Sequence, residues 1–201
     1  MKVGVIGFKH NHAHHFVKSK EFECIAFAEE NEELRAKIAS MYPQMRVYVD
    51  YREMLEREEL EAIGLAEING LRAGIAGKCL QDGLHVISDK PIATDYEGLD
   101  VIEEALKKSN TVLSMMLTER TNPRYFTLKK LIDEGVLGDV VTINTARIYQ
   151  LNRSSRPKWM FSRKTYGGII VDIGVHDIDL IRWMTGSEIS GISAYHGKVR
   201  Y

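Results

Sequence analysis

The first 117 residues alternate between short apolar runs and amphipathic stretches. Runs rich in Val, Ile and Ala predict strands, and stretches with charges on one face predict helices. Because helices separate the strands, the order predicts an α/β fold with a doubly wound parallel sheet and right-handed crossovers. The predicted strands are 1–7, 23–29, 47–49, 62–66, 84–88 and 111–117, and the predicted helices are 10–20, 29–41, 51–59, 71–82 and 95–109.

A helical pattern with a polar stripe follows in residues 167–184. At about 100° per residue, Asp172, His176 and Asp179 fall within about 60° of one another. The other positions are mostly apolar, which predicts a helix buried nearly all round. Two interpretations stay open: a structural Asp–His–Asp network, or a site that tunes a proton-transfer group. The apolar positions are Ile169, Ile170, Ile173, Val175, Ile178, Leu180, Ile181 and Met184.

The N-terminus has the order strand, glycine turn, helix, strand, acid. Glu29 lies 22 residues after Gly7, which is near the spacing of the ribose-binding carboxylate in a dinucleotide-binding unit. Lys9 and His12 occupy the second and third glycine positions of that fingerprint. A side chain there obstructs the approach of a pyrophosphate, so an ordinary strand–turn–helix that binds nothing is the alternative.

A third motif ends the predicted strand 84–88 with Asp89-Lys90-Pro91. If this strand is parallel to the first, Lys90 reaches the carboxyl edge of the sheet, where open α/β sheets bind ligands. The alternative is a turn with a solvated lysine.

Together these motifs resemble the glucose–fructose oxidoreductase / inositol dehydrogenase (Gfo/Idh/MocA) family. Val3–Gly7 resembles its first strand, and Asp89-Lys90-Pro91 resembles its Glu-Lys-Pro motif. Residues 129–140 resemble the helix–turn–strand that opens its second domain, and residues 167–180 resemble its Gly-Gly…Asp-x-Gly-x-His signature.

The resemblance implies a Rossmann-like dinucleotide-binding domain over 1–119. Residues 120–201 would begin an α+β open-sheet domain for substrate and oligomerisation, which would be incomplete here. The activity implied is hydride transfer between a nicotinamide cofactor and a sugar, polyol or related hydroxy compound, with Lys90, Asp172 and His176 as catalytic residues. We expect NAD, with NADP as the alternative, and the cofactor contacts Gly7, Phe8, Lys9, His10, His12, Glu29, Asn69, Asp89 and Lys90.

Several positions depart from the family pattern. Ala66-Glu67-Ile68-Asn69 stands where Thr-Pro-Asn is usual, and Arg72 stands where a histidine often follows. Strands are expected at 140–149 and at 189–201, and members continue through several more strands. The chain is therefore interpreted as a truncated product or a fragment. A non-catalytic or truncated dinucleotide-binding or regulatory module is the alternative function.

Composition narrows the class of protein to which this chain can belong. The 201 residues are 44% hydrophobic with a net charge of −1, so no nucleic-acid partner is expected, and no apolar run reaches the ~20 residues of a membrane span. Cys24 and Cys79 lie in apolar surroundings and are expected to be reduced, which favours a cytoplasmic protein. A small-molecule substrate is the expected partner, and a homo-oligomer is expected if the second domain is complete.

Two local patterns carry further hypotheses. Residues 140–171 contain no Asp or Glu but six basic residues, between Arg147 and Lys164. This stretch is either a solvated loop or an electropositive lid for an anionic substrate. His10 and His14 have i, i+4 spacing, but no cysteine or carboxylate is close in sequence, so no metal site is expected.

Overall fold

The first half of the chain forms one parallel sheet of six strands. The structure, a computed structural model, describes residues 1–10 and 12–197. The strand order is β3-β2-β1-β4-β5-β6, and every neighbouring pair is parallel. The strands are β1 (Lys2–Ile6), β2 (Glu23–Ala28), β3 (Arg46–Tyr48), β4 (Ala62–Leu65), β5 (His85–Ser88) and β6 (Leu113–Met115).

Helices connect these strands, as the alternating pattern predicts. Several begin at side-chain caps: Asn31 Oδ1 accepts from Leu34 N, and Asp95 Oδ1 accepts from Gly98 N. Eight α-helices lie in the described residues: α1 (Ala13–Lys18), α2 (Glu32–Met41), α3 (Tyr51–Arg57), α4 (Asn69–Gln81), α5 (Tyr96–Lys107), α6 (Pro123–Asp133), α7 (Arg163–Tyr166) and α8 (Val175–Thr185).

Both faces of the sheet are covered. On one face, Met54, Leu80 and Ile102 pack against the apolar side chains of the central strands. On the other face, Phe16 and Ile38 pack with residues of β1 and β2. Packing on both faces confirms the doubly wound fold. Parallel sheets with both faces covered are typical of that fold.

Residues after 117 are less regular. The predicted strand 140–149 is wrong, because these residues pair with no other strand in the described chain. A strand needs a hydrogen-bonded neighbour, and the described part of this region supplies none. The predicted strand 189–201 is not formed over 189–197, and its last four residues lie outside the described residues.

The polar-striped helix is also not buried all round. It consists of a π-helical segment, Ile170–Gly174, followed by α8. Its buried side carries His176, Asp179, Leu180 and Met184. Ile169 and Ile170 are 50% and 61% exposed, because nothing in the described chain covers that face. Among the described residues, no helix is both long and apolar enough to cross a bilayer.

Candidate active site

The reversal of strand order places a cleft between the carboxyl ends of β1 and β4. Gly7 closes β1 with φ +76°, and a Cβ there would lie 2.7 Å from Glu67 Cα. Glycine is required at this turn because of both that conformation and that close approach. The adjoining cavity measures about 290 Å³ and includes Ala28, Glu30 and Glu67 in its lining. This position and this turn fit the adenosine half of a dinucleotide.

Glu29 directly follows β2 and has a fully buried side chain. Its carboxylate accepts hydrogen bonds from Phe8 N at 2.9 Å and Asn31 N at 2.8 Å, and it pairs with the Lys9 ammonium. The ring of Phe8 is buried and packs edge-on against Phe27, and its contact with a cofactor stays a prediction. The contact between Glu29 and a ribose stays a prediction, and the structure shows that these oxygens already have partners in the chain.

Glu67, which the sequence shows only as a departure from the family pattern, is a buried acid beside Gly7. Its carboxylate accepts from Ile68 N at 2.9 Å. Burial raises the pKa of Glu67 above its ordinary value, against the opposing effects of that hydrogen bond and of the Lys9 charge. The turn therefore carries a second acid that faces the cleft.

Asp89, directly after β5, is the centre of a buried polar cluster. His12 Nδ1 lies 2.8 Å from one of its oxygens, and His10 Nδ1 and Arg72 Nη2 lie 3.0 and 3.2 Å from the other. Burial opposes ionisation of Asp89, but the two histidines and Arg72 hold its pKa well below the ordinary value. His10 and His12 thus turn toward Asp89, which sequence spacing could not show.

Arg72 is the largest fully buried side chain of the described chain, and sequence reasoning did not place it in the site. Besides Asp89, its guanidinium donates to the backbone carbonyls of Glu67, Lys90 and Pro91. It therefore ties the end of β4 to the end of β5. A buried arginine with all of these acceptors fixes the backbone that carries Lys90, whose bond to Pro91 is cis.

Lys90 connects the Asp89-Lys90-Pro91 motif to the distant motif at residues 167–180. Its ammonium lies 2.7 Å from Asp172 Oδ1 and donates to Asp172 O at 2.6 Å. Tyr166 donates its hydroxyl to the other carboxylate oxygen at 2.9 Å. Burial and the neighbouring carboxylate raise the pKa of Tyr166, so this phenol stays a donor. Tyr166 is a second site residue that sequence reasoning missed; its position just before Gly167-Gly168 is the only signal it left.

His176 is buried, and it makes no hydrogen bond to Asp172. Its Nδ1 has no hydrogen-bond partner among the described residues. Burial, together with the charges of Lys90 and Arg147, lowers the pKa of His176 below its ordinary value of 6.5. The ring is therefore neutral at neutral pH and can accept a proton.

The Asp–His–Asp network considered from the stripe does not form. Asp179 pairs with Arg120 at 2.9 Å, while Asp172 pairs with Lys90. The π-helical segment Ile170–Gly174 changes the angular relation between Asp172 and the residues of α8. Each acid consequently meets a different partner, and the interpretation of a joint structural network was wrong.

The other predicted site residues have structural partners. Asn69 is buried and donates to Tyr166 O at 3.0 Å, so it joins α4 to α7, and its role with a cofactor stays a prediction. In the basic stretch, Arg147 pairs with Asp177 at 2.8 Å and with Glu119 at 3.2 Å. Arg156 donates to the carbonyls of Gln150 and Leu151. These two arginines therefore stabilise the fold through these contacts, in addition to contributing positive charge.

Comparison with known proteins agrees with this geometry. The model for an oxidoreductase family with an NAD-binding Rossmann fold, Gfo/Idh/MocA, matches residues 1–117. The chain belongs to the Gfo/Idh/MocA oxidoreductase family. A Gfo/Idh/MocA C-terminal domain matches residues 125–201. The resemblance inferred from the sequence motifs is thereby confirmed, and the division into 1–119 and 120–201 stays a prediction.

Individual Gfo/Idh/MocA relatives extend the comparison. Levoglucosan dehydrogenase of Pseudarthrobacter phenanthrenivorans is 29% identical over 170 residues, which is 83% of this chain and 43% of that protein. An oxidoreductase of Thermotoga maritima superposes with a TM-score of 0.84 at 31% identity, covering 94% of this chain and 59% of that one. A levoglucosan dehydrogenase structure with NADH and L-sorbose has a TM-score of 0.77 at 25% identity, covering 92% and 53%. The chain therefore spans about half the length of these relatives.

Proposed function

We propose that this chain is the cofactor-binding and catalytic part of an NAD-dependent dehydrogenase for a sugar, polyol or related hydroxy compound. The observation that carries the proposal is the contact between Lys90 and Asp172, which joins the end of β5 to the helix that bears His176. Relatives named levoglucosan dehydrogenase and inositol 2-dehydrogenase support the substrate class. A bound nicotinamide would supply the hydride acceptor or donor.

The three side chains have distinct roles in this proposal. His176 is neutral and takes the proton of the substrate hydroxyl as a general base. Lys90, as an ammonium, stabilises the negative charge that develops on the same oxygen. Asp172 holds the Lys90 ammonium in place and is itself held by Tyr166. Asp172 is therefore a positioning residue, and it does not orient His176 by a hydrogen bond.

The cofactor preference follows from charge at the end of β2. Glu29 is buried there, and Glu30 lines the adjoining cavity. These carboxylates would repel the 2′-phosphate of NADP. Lys9 pairs with Glu29 and cancels part of its charge, so the repulsion is attributed mainly to Glu30. We expect calorimetric titration to show tighter binding of NAD than of NADP, and tighter NADP binding would contradict the assignment.

The basic stretch supports a finer proposal about substrate charge. Arg147 and Arg156 have structural partners, and the guanidinium groups of Arg153 and Arg163 lie against Phe161 and Gly168. Lys158 and Lys164 are therefore the better residues to neutralise. If the stretch attracts an anionic sugar, added salt should weaken apparent substrate affinity, since charges are screened over about 10 Å at 0.1 M. Changing both lysines to glutamine should flatten this dependence. A neutral polyol turned over best, with no salt effect, would contradict the proposal.

Two observations support the non-catalytic alternative: Lys9 and His12 stand at glycine positions of the fingerprint, and residues 140–149, which are predicted to belong to the second domain, form no strand. Turnover of NAD with a panel of polyols and sugars distinguishes the two functions. His176→Ala should lower turnover by roughly 10²-fold or more while NAD affinity stays nearly unchanged. The matched control is His196→Ala, which changes an exposed histidine of the same region.

Two outcomes would contradict catalysis by this site. The first is NAD binding by the wild-type chain without turnover of any polyol or sugar. The second is a His176→Ala variant that loses activity only in proportion to its loss of thermal stability. The second result would make His176 a core residue, and the first would favour the regulatory module.

A further inference from the structure

Two histidines and a carboxylate converge at one point beside the β1 turn. The nitrogen and oxygen atoms that His10, His12 and Asp89 can offer as ligands all lie within 4.8 Å of one another. We propose that these three residues form a binding site for a divalent transition-metal ion, with Zn²⁺ as the test ion. Imidazole and carboxylate are ligands that Zn²⁺ accepts.

The spacing of the ligand atoms suits such an ion. His12 Nδ1 lies 2.8 Å from Asp89 Oδ1, and His10 Nδ1 lies 3.0 Å from Asp89 Oδ2. Ligands on a tetrahedral Zn²⁺ with bonds of about 2.0–2.1 Å are about 3.3 Å apart. The two histidine–carboxylate contacts would therefore need to open by only a few tenths of an ångström.

His10 gives an independent indication. Its Nδ1 is buried, and the contact with Asp89 lacks the alignment of a hydrogen bond, so this nitrogen has no hydrogen-bond partner within the described ranges. A buried polar atom without a partner is costly. A metal ion placed between His10 and Asp89 would use the nitrogen lone pair and remove that cost.

Neighbouring donors hold the Asp89 carboxylate in place. Asp89 is fully buried, accepts from the backbone N of Lys90 at 2.8 Å and contacts Arg72 at 3.2 Å. Ligating carboxylates in metal sites are typically held by such outer hydrogen bonds, which fix their orientation. Arg72 thus acts as an outer-shell residue of the proposed site.

The site differs from the one that sequence spacing suggested. His14 Nδ1 lies 2.7 Å from the Tyr42 hydroxyl, so the His10–His14 pair does not chelate. The missing third ligand was the reason not to expect a metal. Tertiary structure supplies it as Asp89, which is 77 residues after His12 in the chain.

An exchangeable coordination position would remain. Three protein ligands leave one place on a tetrahedral ion for water or another oxygen ligand. His12 also lines an open groove of about 730 Å³ with Met116, Thr118 and Arg120. Small oxygen ligands can therefore reach the ion from solvent, as they do at metal sites that are not purely structural.

Metal binding tests the proposal without any assay of turnover. Metal-free protein is titrated with Co²⁺, whose visible absorption reports its coordination, and Zn²⁺ is counted after equilibrium dialysis. We expect one ion per chain. His10→Ala and His12→Ala should each weaken binding by more than the roughly 10- to 100-fold that loss of an outer-shell partner costs.

The matched control is His15→Ala, which removes an exposed histidine of α1 whose ring lies 5.7 Å from that of His12 but which is not one of the three proposed ligands. It should leave stoichiometry and affinity unchanged. Asp89→Asn leaves Arg72 without its carboxylate and can unfold the chain, so the two histidine variants, whose rings are partly exposed, are the decisive ones. Equal Zn²⁺ binding by the wild type and the His10→Ala/His12→Ala double variant would overturn the site, as would equal loss in His15→Ala.

Discussion

Residues 1–117 and residues 118–197 bury their apolar side chains to very different degrees. In the first region, Val3, Ile63 and Leu65 are fully inaccessible, because helices cover both faces of the sheet. In the second, Ile148 is 95% exposed and Ile170 is 61% exposed. The contrast shows that an apolar pattern predicts burial only where a second layer of structure is present to cover it.

The most deeply buried charge pair also lies in the first region. Arg72 and Asp89 of the first region are fully buried and joined to several partners. In the second region, the pair Arg182–Glu188 is largely exposed. In the candidate catalytic site, Lys90 belongs to the first region, and Asp172 and His176 belong to the second. The site therefore joins the buried sheet to a less enclosed helix. Four predictions test this difference.

The largest effect is expected at Arg72. Arg72→Met should lower the free energy of unfolding by about 3–5 kcal/mol, because it leaves the buried Asp89 without its guanidinium partner. Arg182→Met, the matched change at an exposed pair, should have no measurable effect. Urea denaturation measures both. Similar effects for the two arginines would show that the regions do not differ in this way.

Truncation of apolar side chains gives the next comparison. Leu65→Ala removes a buried side chain of β4 and should cost about 2–5 kcal/mol of stability. Ile170→Ala changes an exposed side chain and should stay within about 0.5 kcal/mol. A large loss for Ile170→Ala, seen in the same denaturation experiment, would mean that this face is covered in solution.

A smaller effect is expected where the two regions meet. Tyr166→Phe removes the hydrogen bond to Asp172 and should lower stability by about 1.5 kcal/mol, the lower end for a bond to a charged group. Thr121→Val, which removes an exposed local hydrogen bond, serves as the comparison. If Tyr166→Phe melts like the wild type, Asp172 does not depend on the phenol.

The smallest effect concerns the pKa of His176. Arg147 lowers that pKa, so Arg147→Gln should raise it toward its ordinary value. Loss of the cation also leaves Glu119 and Asp177 unpaired, and their charges act in the same direction. The imidazole titration followed by NMR measures this, with Arg182→Gln as control. An unchanged pKa would show that Arg147 does not act on the imidazole, and a lower pKa would contradict the sign of its effect.

Local pattern was sufficient for most of the first region. The alternation of strands and helices, the turn at Gly7 and the end of β5 at Asp89 all depend on residues close together in the chain. The strand predicted at 140–149 failed because pairing is a property of two strands. The burial predicted for Ile169 and Ile170 failed because amphipathicity does not say whether a covering layer exists.

The sequence by itself determined the doubly wound sheet, the family and the three motifs that carry Lys90, Asp172 and His176. Tertiary structure alone decided the partners of those motifs. It brought His10 and His12 to Asp89 and gave the Glu29 carboxylate hydrogen-bonding partners within the chain. It also placed Asp172 in a π-helical segment and His176 in the α-helix that follows. The physical reason is the separation along the chain over which each kind of interaction acts. Hydrophobic periodicity and turn preference act over a few residues, whereas the hydrogen bonds and charges of a buried site join atoms from strands far apart in sequence.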